Sequence, residues 1–147
     1  NLKVTAAQPH GCAPIVDAFK KNTGEIVPVE RPDTIAKSLA IGDPGDGVYV
    51  LRRLKQYGGI AEEANDNEIV EGIMTLAKTE GIFTEPAGGV SIAVLKKLVD
   101  DGFIERNEKV VCYVTGNGLK SIEAIISALP KLDVVKPDVQ TVSAMIS

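Results

Sequence analysis

The apolar residues of this chain follow two rhythms. Short runs over about 3 to 8, over Ile60 to Ala64 and over Val110-Val111-Cys112-Tyr113-Val114 read as strands. Between them apolar residues recur every three or four positions, the spacing of a buried helical stripe. That rhythm predicts helices over Ile15 to Lys21, Val48 to Tyr57, about Ala87 to Asp101 and Ser121 to Leu129, with a short one through Leu39 for which Asp33 or Thr34 is the N-cap. The longest stripe is Ile69, Val70, Ile73, Met74 and Ala77. It follows Asn65-Asp66-Asn67-Glu68, which has capping-box spacing: the Asn65 side chain serves the Glu68 amide and Glu68 reaches back. Gly81 and Gly102 stand where helices end. Ile26 to Glu30 and Ile82-Phe83-Thr84 read as extended. Val110 to Val114 is the strongest strand candidate, uninterrupted and rich in β-branched residues, as in the middle of a parallel sheet.

Strands alternating with helices of about ten to fifteen residues predict βαβ units. The expected fold class is therefore α/β, a three-layer α/β/α sandwich with a mostly parallel sheet. A chain of 147 residues suits one such body, expected over residues 1–132. Residues 133–147, interrupted by Pro137, read as a C-terminal tail ordered only by docking. The first residue is Asn1 rather than Met and the chain runs at once into a strand-like segment, so the expectation is no signal peptide in front and either a segment removed or a piece of a longer polypeptide.

Charge and composition narrow the partners. Sixteen Lys plus Arg against 20 Asp plus Glu, with no Trp, three Tyr and three Phe, argue against nucleic acid, which needs clustered bases and stacking rings. They equally argue against a polybasic membrane contact. No apolar run approaches the roughly 20 residues of a membrane span. Cys12 and Cys112 are too far apart in sequence to suggest a disulfide framework, and neither has a metal-ligand neighbour at the usual spacing. No metal is expected, and the thiols read as reduced and structural, which suits a cytoplasmic protein.

Ligands of open parallel sheets gather at the carboxyl ends of strands. Three turns qualify: Gln8 to Gly11, Thr84 to Gly89 and Thr115 to Gly118. In the last, a hydroxyl at a strand end followed by Gly116-Asn117-Gly118 lets a planar ligand approach the backbone, although Asn-Gly is equally a plain turn signal. A dinucleotide loop does not fit, because Ser121 stands where the third glycine belongs. Glu85 precedes a helix N-terminus, where capping and the helix dipole give the plainer account. His10 has no Ser or Cys nucleophile pattern beside it and reads as a surface loop residue. Lys20-Lys21, Arg52-Arg53 and Lys96-Lys97 read as solvent faces of helices.

Taken in order, the turns resemble one family. Gln8-Pro9-His10-Gly11-Cys12-Ala13-Pro14, Arg31-Pro32-Asp33-Thr34-Ile35-Ala36, Ile41-Gly42-Asp43-Pro44, Asp66-Asn67-Glu68-Ile69, Glu80-Gly81-Ile82-Phe83-Thr84-Glu85-Pro86-Ala87-Gly88 and Thr115-Gly116-Asn117-Gly118-Leu119-Lys120 are similar to the C-terminal half of the threonine synthases. These are tryptophan synthase β-like, fold type II pyridoxal-phosphate enzymes, and the likeness runs from the first strand to about Leu132.

The resemblance implies conversion of O-phosphohomoserine and water to threonine and phosphate, with pyridoxal 5'-phosphate as cofactor. The family's Schiff-base lysine, glycine-rich phosphate loop and ring-hydroxyl asparagine precede the matched part. No catalytic residue is therefore expected in this chain. It is expected to be inactive alone, to need a missing N-terminal half, and to be a possible homodimer.

For cofactor binding, the resemblance implies that Thr115 donates its hydroxyl to the pyridine nitrogen, where a neutral donor leaves that nitrogen unprotonated. Gly116 allows the turn beside the ring, Ser38 to Gly42 pass close to a cofactor face, and Glu85 matches a glutamate near the site. Lys120 matches a lysine with no covalent role, and Ser121 stands where the family usually has Asp. Rival expectations are another fold type II enzyme, such as a threonine deaminase or cysteate synthase, or a non-catalytic small-molecule binding domain.

Overall fold

Two five-residue strands, β1 (Thr5–Pro9) and β2 (Ile60–Ala64), run parallel with Thr5 opposite Ile60 and Pro9 opposite Ala64. The computed structural model describes residues 2–129, 131 and 134–146. Its helices are α1 (Pro14–Lys21), α2 (Gly47–Gln56), α3 (Asp66–Glu80), α4 (Pro86–Asp100) and α5 (Val139–Ile146). Asn1 and the expected body-to-tail boundary at Leu132 and Asp133 lie outside the described residues.

Alternation along the strands makes three layers. Ala6 and Ala61 pack on one face with Ala13, Val16 and Leu54 of the α1 and α2 side. Ala7, Ile60 and Ala64 pack on the other with Ile69, Ile73, Val90, Val94 and Leu98 of α3 and α4. Small strand residues let both helix layers come close. Each fully buried Ile or Leu contributes about 1.5–3 kcal/mol of hydrophobic stabilisation. The α/β sandwich with a parallel sheet is the fold the periodicity predicts.

Local signals set the helix ends. The capping box at α3 is formed as expected: Asn65 Oδ1 accepts from the Glu68 amide at 3.1 Å, and Glu68 Oε2 accepts from the Asn65 amide at 2.7 Å. Gly81 closes the helix in the left-handed region at φ 67°. At α1 the cap comes from β1, since Gln8 Oε1 accepts from the amides of Ile15 and Val16 at 2.9 and 3.1 Å. The Gln8 to Gly11 turn is thus filled by protein, with the Gly11 carbonyl accepting from the Asp33 amide at 3.0 Å.

Three expectations are corrected. Val110 to Val114 forms no strand, and Val111 and Tyr113 are 81% and 77% exposed. Apolar residues specify burial, but a strand also needs a neighbour, and among the described residues the sheet has only β1 and β2. Residues 121–129 form 3-10 turns, Gly118–Ala124 and Ile126–Ala128, rather than an α-helix, because Ser121 departs from helical backbone at φ −143°, ψ 46°. Thr34 does not cap the short helix, which shrinks to one 3-10 turn at Lys37–Leu39. Its buried hydroxyl instead donates to Asp66 Oδ1 at 2.9 Å and accepts from the Ala36 amide at 3.1 Å, tying that segment to the start of α3. In the tail, α5 is helical but lies outside both core clusters. No helix among the described residues is long and apolar enough to cross a membrane.

Candidate functional site

The N-terminus of α4 anchors the site. Pro86 occupies the first turn, and Glu85 at the N-cap makes no capping bond with its side chain. The capping expectation for Glu85 is therefore corrected, and the local backbone explains why. Pro86 has no amide hydrogen, and the Glu85 carbonyl already accepts from the amides of Gly88 and Gly89 at 3.0 and 3.1 Å. The carboxylate pairs instead with Lys120, whose Nζ lies 3.2 Å from Oε2. Glu85's side chain is 7% exposed and Lys120's 66%.

Phe83 to Glu85 and Gly116 to Gly118 are laced together by main-chain bonds. The Glu85 amide donates to the Gly116 carbonyl at 3.1 Å, and the Gly118 amide donates to the Phe83 carbonyl at 3.0 Å. Thr84 and Asn117 pair as an isolated antiparallel bridge, and the Thr84 hydroxyl donates to the Gly116 carbonyl at 3.1 Å. A Cβ on Gly116 would overlap the Glu85 carboxylate, and one on Gly118 would meet the Phe83 ring. Asn117 Oδ1 accepts from the Leu119 amide at 2.9 Å and steadies the exit of the loop. Thr115 sits exposed at its entry, with its hydroxyl bonded to no described residue.

The structure thus brings Thr84, Glu85, Gly116 and Lys120 together, with Thr115 adjoining. Ser38 and Gly42 lie apart from that cluster. Ser38 is exposed on the Lys37–Leu39 turn, whose neighbours Ala36 and Leu39 pack into the α3 and α4 core. Gly42 accepts from the Val29 amide at 3.0 Å, and a Cβ on it would overlap the Val29 carbonyl. No hydrogen bond or ion pair among the described residues joins Ser38 or Gly42 to Glu85, Thr115 or Gly116.

A second set of charges fixes helices to the carboxyl end of β2. Lys20 Nζ lies 2.8 Å from Glu62 Oε1 and 3.7 Å from Glu63 Oε1, and Lys97 Nζ lies 2.8 Å from both Glu68 Oε2 and the Glu63 carbonyl. Burial alone would raise the Glu62 carboxyl, but the Lys20 bond and the Glu63 amide outweigh it and hold the group below its ordinary value. Glu68 is likewise held low against burial by Lys97 and the Asn65 amide. Lys20 is raised by its Glu62 bond, which exceeds the opposing effect of burial. Lys20 and Lys97 are therefore structural ties rather than the plain solvent-facing residues expected. His10 Nδ1 is 3.3 Å from Glu63 Oε1 on a side chain 70% exposed, consistent with a surface loop residue. Burial pushes up the thiols of Cys12, which is fully buried, and Cys112, which is partly so.

Sequence inspection missed the Glu85–Lys120 pair and the two lysine ties. Their partners are far apart in the chain, and no local pattern links them. The one available signal was the position of Lys120 inside the Thr115 to Lys120 motif.

Residues 1–116 match the family model for the pyridoxal-phosphate dependent enzymes. The chain belongs to that family. It is 47% identical over 126 residues to a threonine synthase of Methanocaldococcus jannaschii, a match covering 86% of this chain and 31% of that protein. A threonine synthase of Methanosarcina acetivorans is 39% identical over 140 residues, covering 95% and 35%. The resemblance to threonine synthases holds, but the chain spans about a third of these relatives' length rather than the half expected.

Among solved structures, an L-serine ammonia-lyase from Rhizomucor miehei superposes with TM-score 0.69 at 18% identity, covering 88% of this chain and 42% of that one. Maize serine racemase gives 0.66 at 18% identity, covering 86% and 40%. At such identity the likeness is one of fold.

Proposed function

We propose that this chain is the C-terminal part of a pyridoxal-phosphate dependent threonine synthase, and that the whole protein converts O-phosphohomoserine and water to threonine and phosphate. The carrying observation is Thr115: an exposed hydroxyl bonded to no described residue, beside a glycine packed against Glu85, in a chain 47% identical to a threonine synthase. The donor chemistry fits pyridoxal phosphate, since a free neutral hydroxyl suits an unprotonated pyridine nitrogen. When bound, the cofactor supplies an electron sink for the substrate's α-carbon.

Each named residue then has a task. Thr115 donates to the ring nitrogen, and Gly116 keeps the main chain low beside the ring. Glu85 holds that glycine in place from behind. Ser38, exposed on the Lys37–Leu39 turn, and Gly42, packed on Val29, belong to a segment that would pass close to a cofactor face. The cofactor-bearing lysine and the phosphate loop belong to the remainder of the protein, so the 147 residues alone are inactive. A cytoplasmic setting accompanies this proposal, the two cysteines being free.

The deciding assay uses the full-length protein. Supplied with O-phosphohomoserine, it releases phosphate and threonine in equal amounts; release of ammonia and a 2-oxo acid from threonine instead would make it a deaminase. The isolated chain, mixed with pyridoxal phosphate, reduced with borohydride and digested, shows no single stoichiometrically labelled lysine. One such lysine would overturn the assignment of the chemistry to the missing part.

A further inference from the structure

The geometry points to Lys120 as a positioning residue that, through its ion pair with Glu85, holds the Thr115–Gly118 loop in place for the cofactor. The inference rests on the proposed function for the identity of the cofactor, but the clasp itself stands on distances alone.

Glu85's carboxylate is almost wholly buried, and a buried charge is costly unless paired. Among the described residues, Lys120 is the one cation within ion-pair reach of it. The two belong to different segments, Glu85 to the start of α4 and Lys120 to the exit of the loop. Their bond at 3.2 Å therefore adds a side-chain tie to the main-chain ties between Glu85 and Gly116 and between Phe83 and Gly118. Gly116 leaves the carboxylate the space it needs. Removing the lysine charge leaves a buried anion whose relief is for the loop to lift and admit water. That motion carries Thr115 with it. Lys120 thus acts on the ring contact through Glu85, without touching the cofactor.

The test uses the full-length protein, with K120M retaining the stem and K120R retaining the charge. Amide hydrogen exchange in peptides spanning 83–88 and 115–119 should accelerate about three- to tenfold in K120M, a range set by the exposure of the lysine, while α3 exchanges as in the wild type. Equilibrium dialysis of apoprotein against pyridoxal phosphate should show weakening by a similar factor. K120R should lie within about twofold of the wild type in both.

Wild-type exchange in 115–119 should also rise between low salt and about 1 M NaCl, which tests the ion pair should K120M not fold. K120M exchanging like the wild type overturns the inference. So does K120R failing as K120M does, because the charge would then not matter. A wild type that binds no pyridoxal phosphate overturns the functional proposal instead, and the exchange measurements alone then decide the clasp.

Discussion

Gly116 packs against the buried carboxylate of Glu85 with no room for a side chain between them. A methyl group at this position must displace either the carboxylate or the main chain that bonds to Glu85. Gly116→Ala is expected to cost about 1–3 kcal/mol of stability, as overpacking does. It should also weaken pyridoxal-phosphate binding by the full-length protein. Urea unfolding and cofactor dialysis check this, and a fully stable variant of unchanged affinity would contradict the close packing.

The charges at the end of β2 predict a pH dependence with a definite sign. Folded Glu62 and Glu68 lie below their ordinary value of 4.5, so their stabilisation is present above that pH and is lost as pH falls through the lower folded value. Lys20 lies above its ordinary 10.5, so its contribution is full below that pH and lost as pH rises through the higher folded value. Lys20→Met should therefore cost less than about 1 kcal/mol at neutral pH, because the lysine is half exposed, and the deficit should shrink as pH falls below 4.5 and through the lower folded value. Equal urea midpoint shifts at pH 3 and pH 7 would rule out the pair as their source.

Burial separates two apolar positions that look alike in sequence. Ile73 is fully buried between the sheet and α4, and Ile73→Ala should cost about 2–5 kcal/mol. Val111 is 81% exposed, and Val111→Ser should change the stability of this chain by under about 0.5 kcal/mol. Thermal denaturation of the two variants gives the comparison directly. A large loss at Val111 would mean that the segment pairs after all.

The thiols should differ in reactivity. Cys12 is fully buried and its thiol is pushed up by burial, so a disulfide reagent should modify it only as fast as the protein opens. Cys112, less enclosed, should react first, and Cys12→Ser should leave that fast phase unchanged. Two equally fast thiols would place Cys12 at the surface.

Legibility followed the range of the forces. The Asn65 capping box, the Gly81 cap and the β2 run were readable because each depends on neighbours within a few positions. Val110 to Val114 misled because strand formation depends on a neighbouring strand that the composition of the segment cannot specify. Residues 121–129 misled because the apolar spacing of Ile122, Ile125, Ile126 and Leu129 carries no signal of the backbone departure at Ser121. At the site, motif order brought Thr115, Gly116 and Glu85 forward, but the ion pair of Glu85 with Lys120 emerges only when distant segments meet.

The bonds that hold the Thr115–Gly118 loop come from the main chain of Phe83, Glu85, Gly116 and Gly118 and from the side chains of Thr84, Glu85, Asn117 and Lys120. The side chain of Thr115 takes part in none of them. The scaffold of the loop is therefore independent of that hydroxyl: residue 115 can be exchanged for another exposed polar side chain while the bonds beneath it stay the same, so selection can alter the chemistry offered at this position without renegotiating the fold.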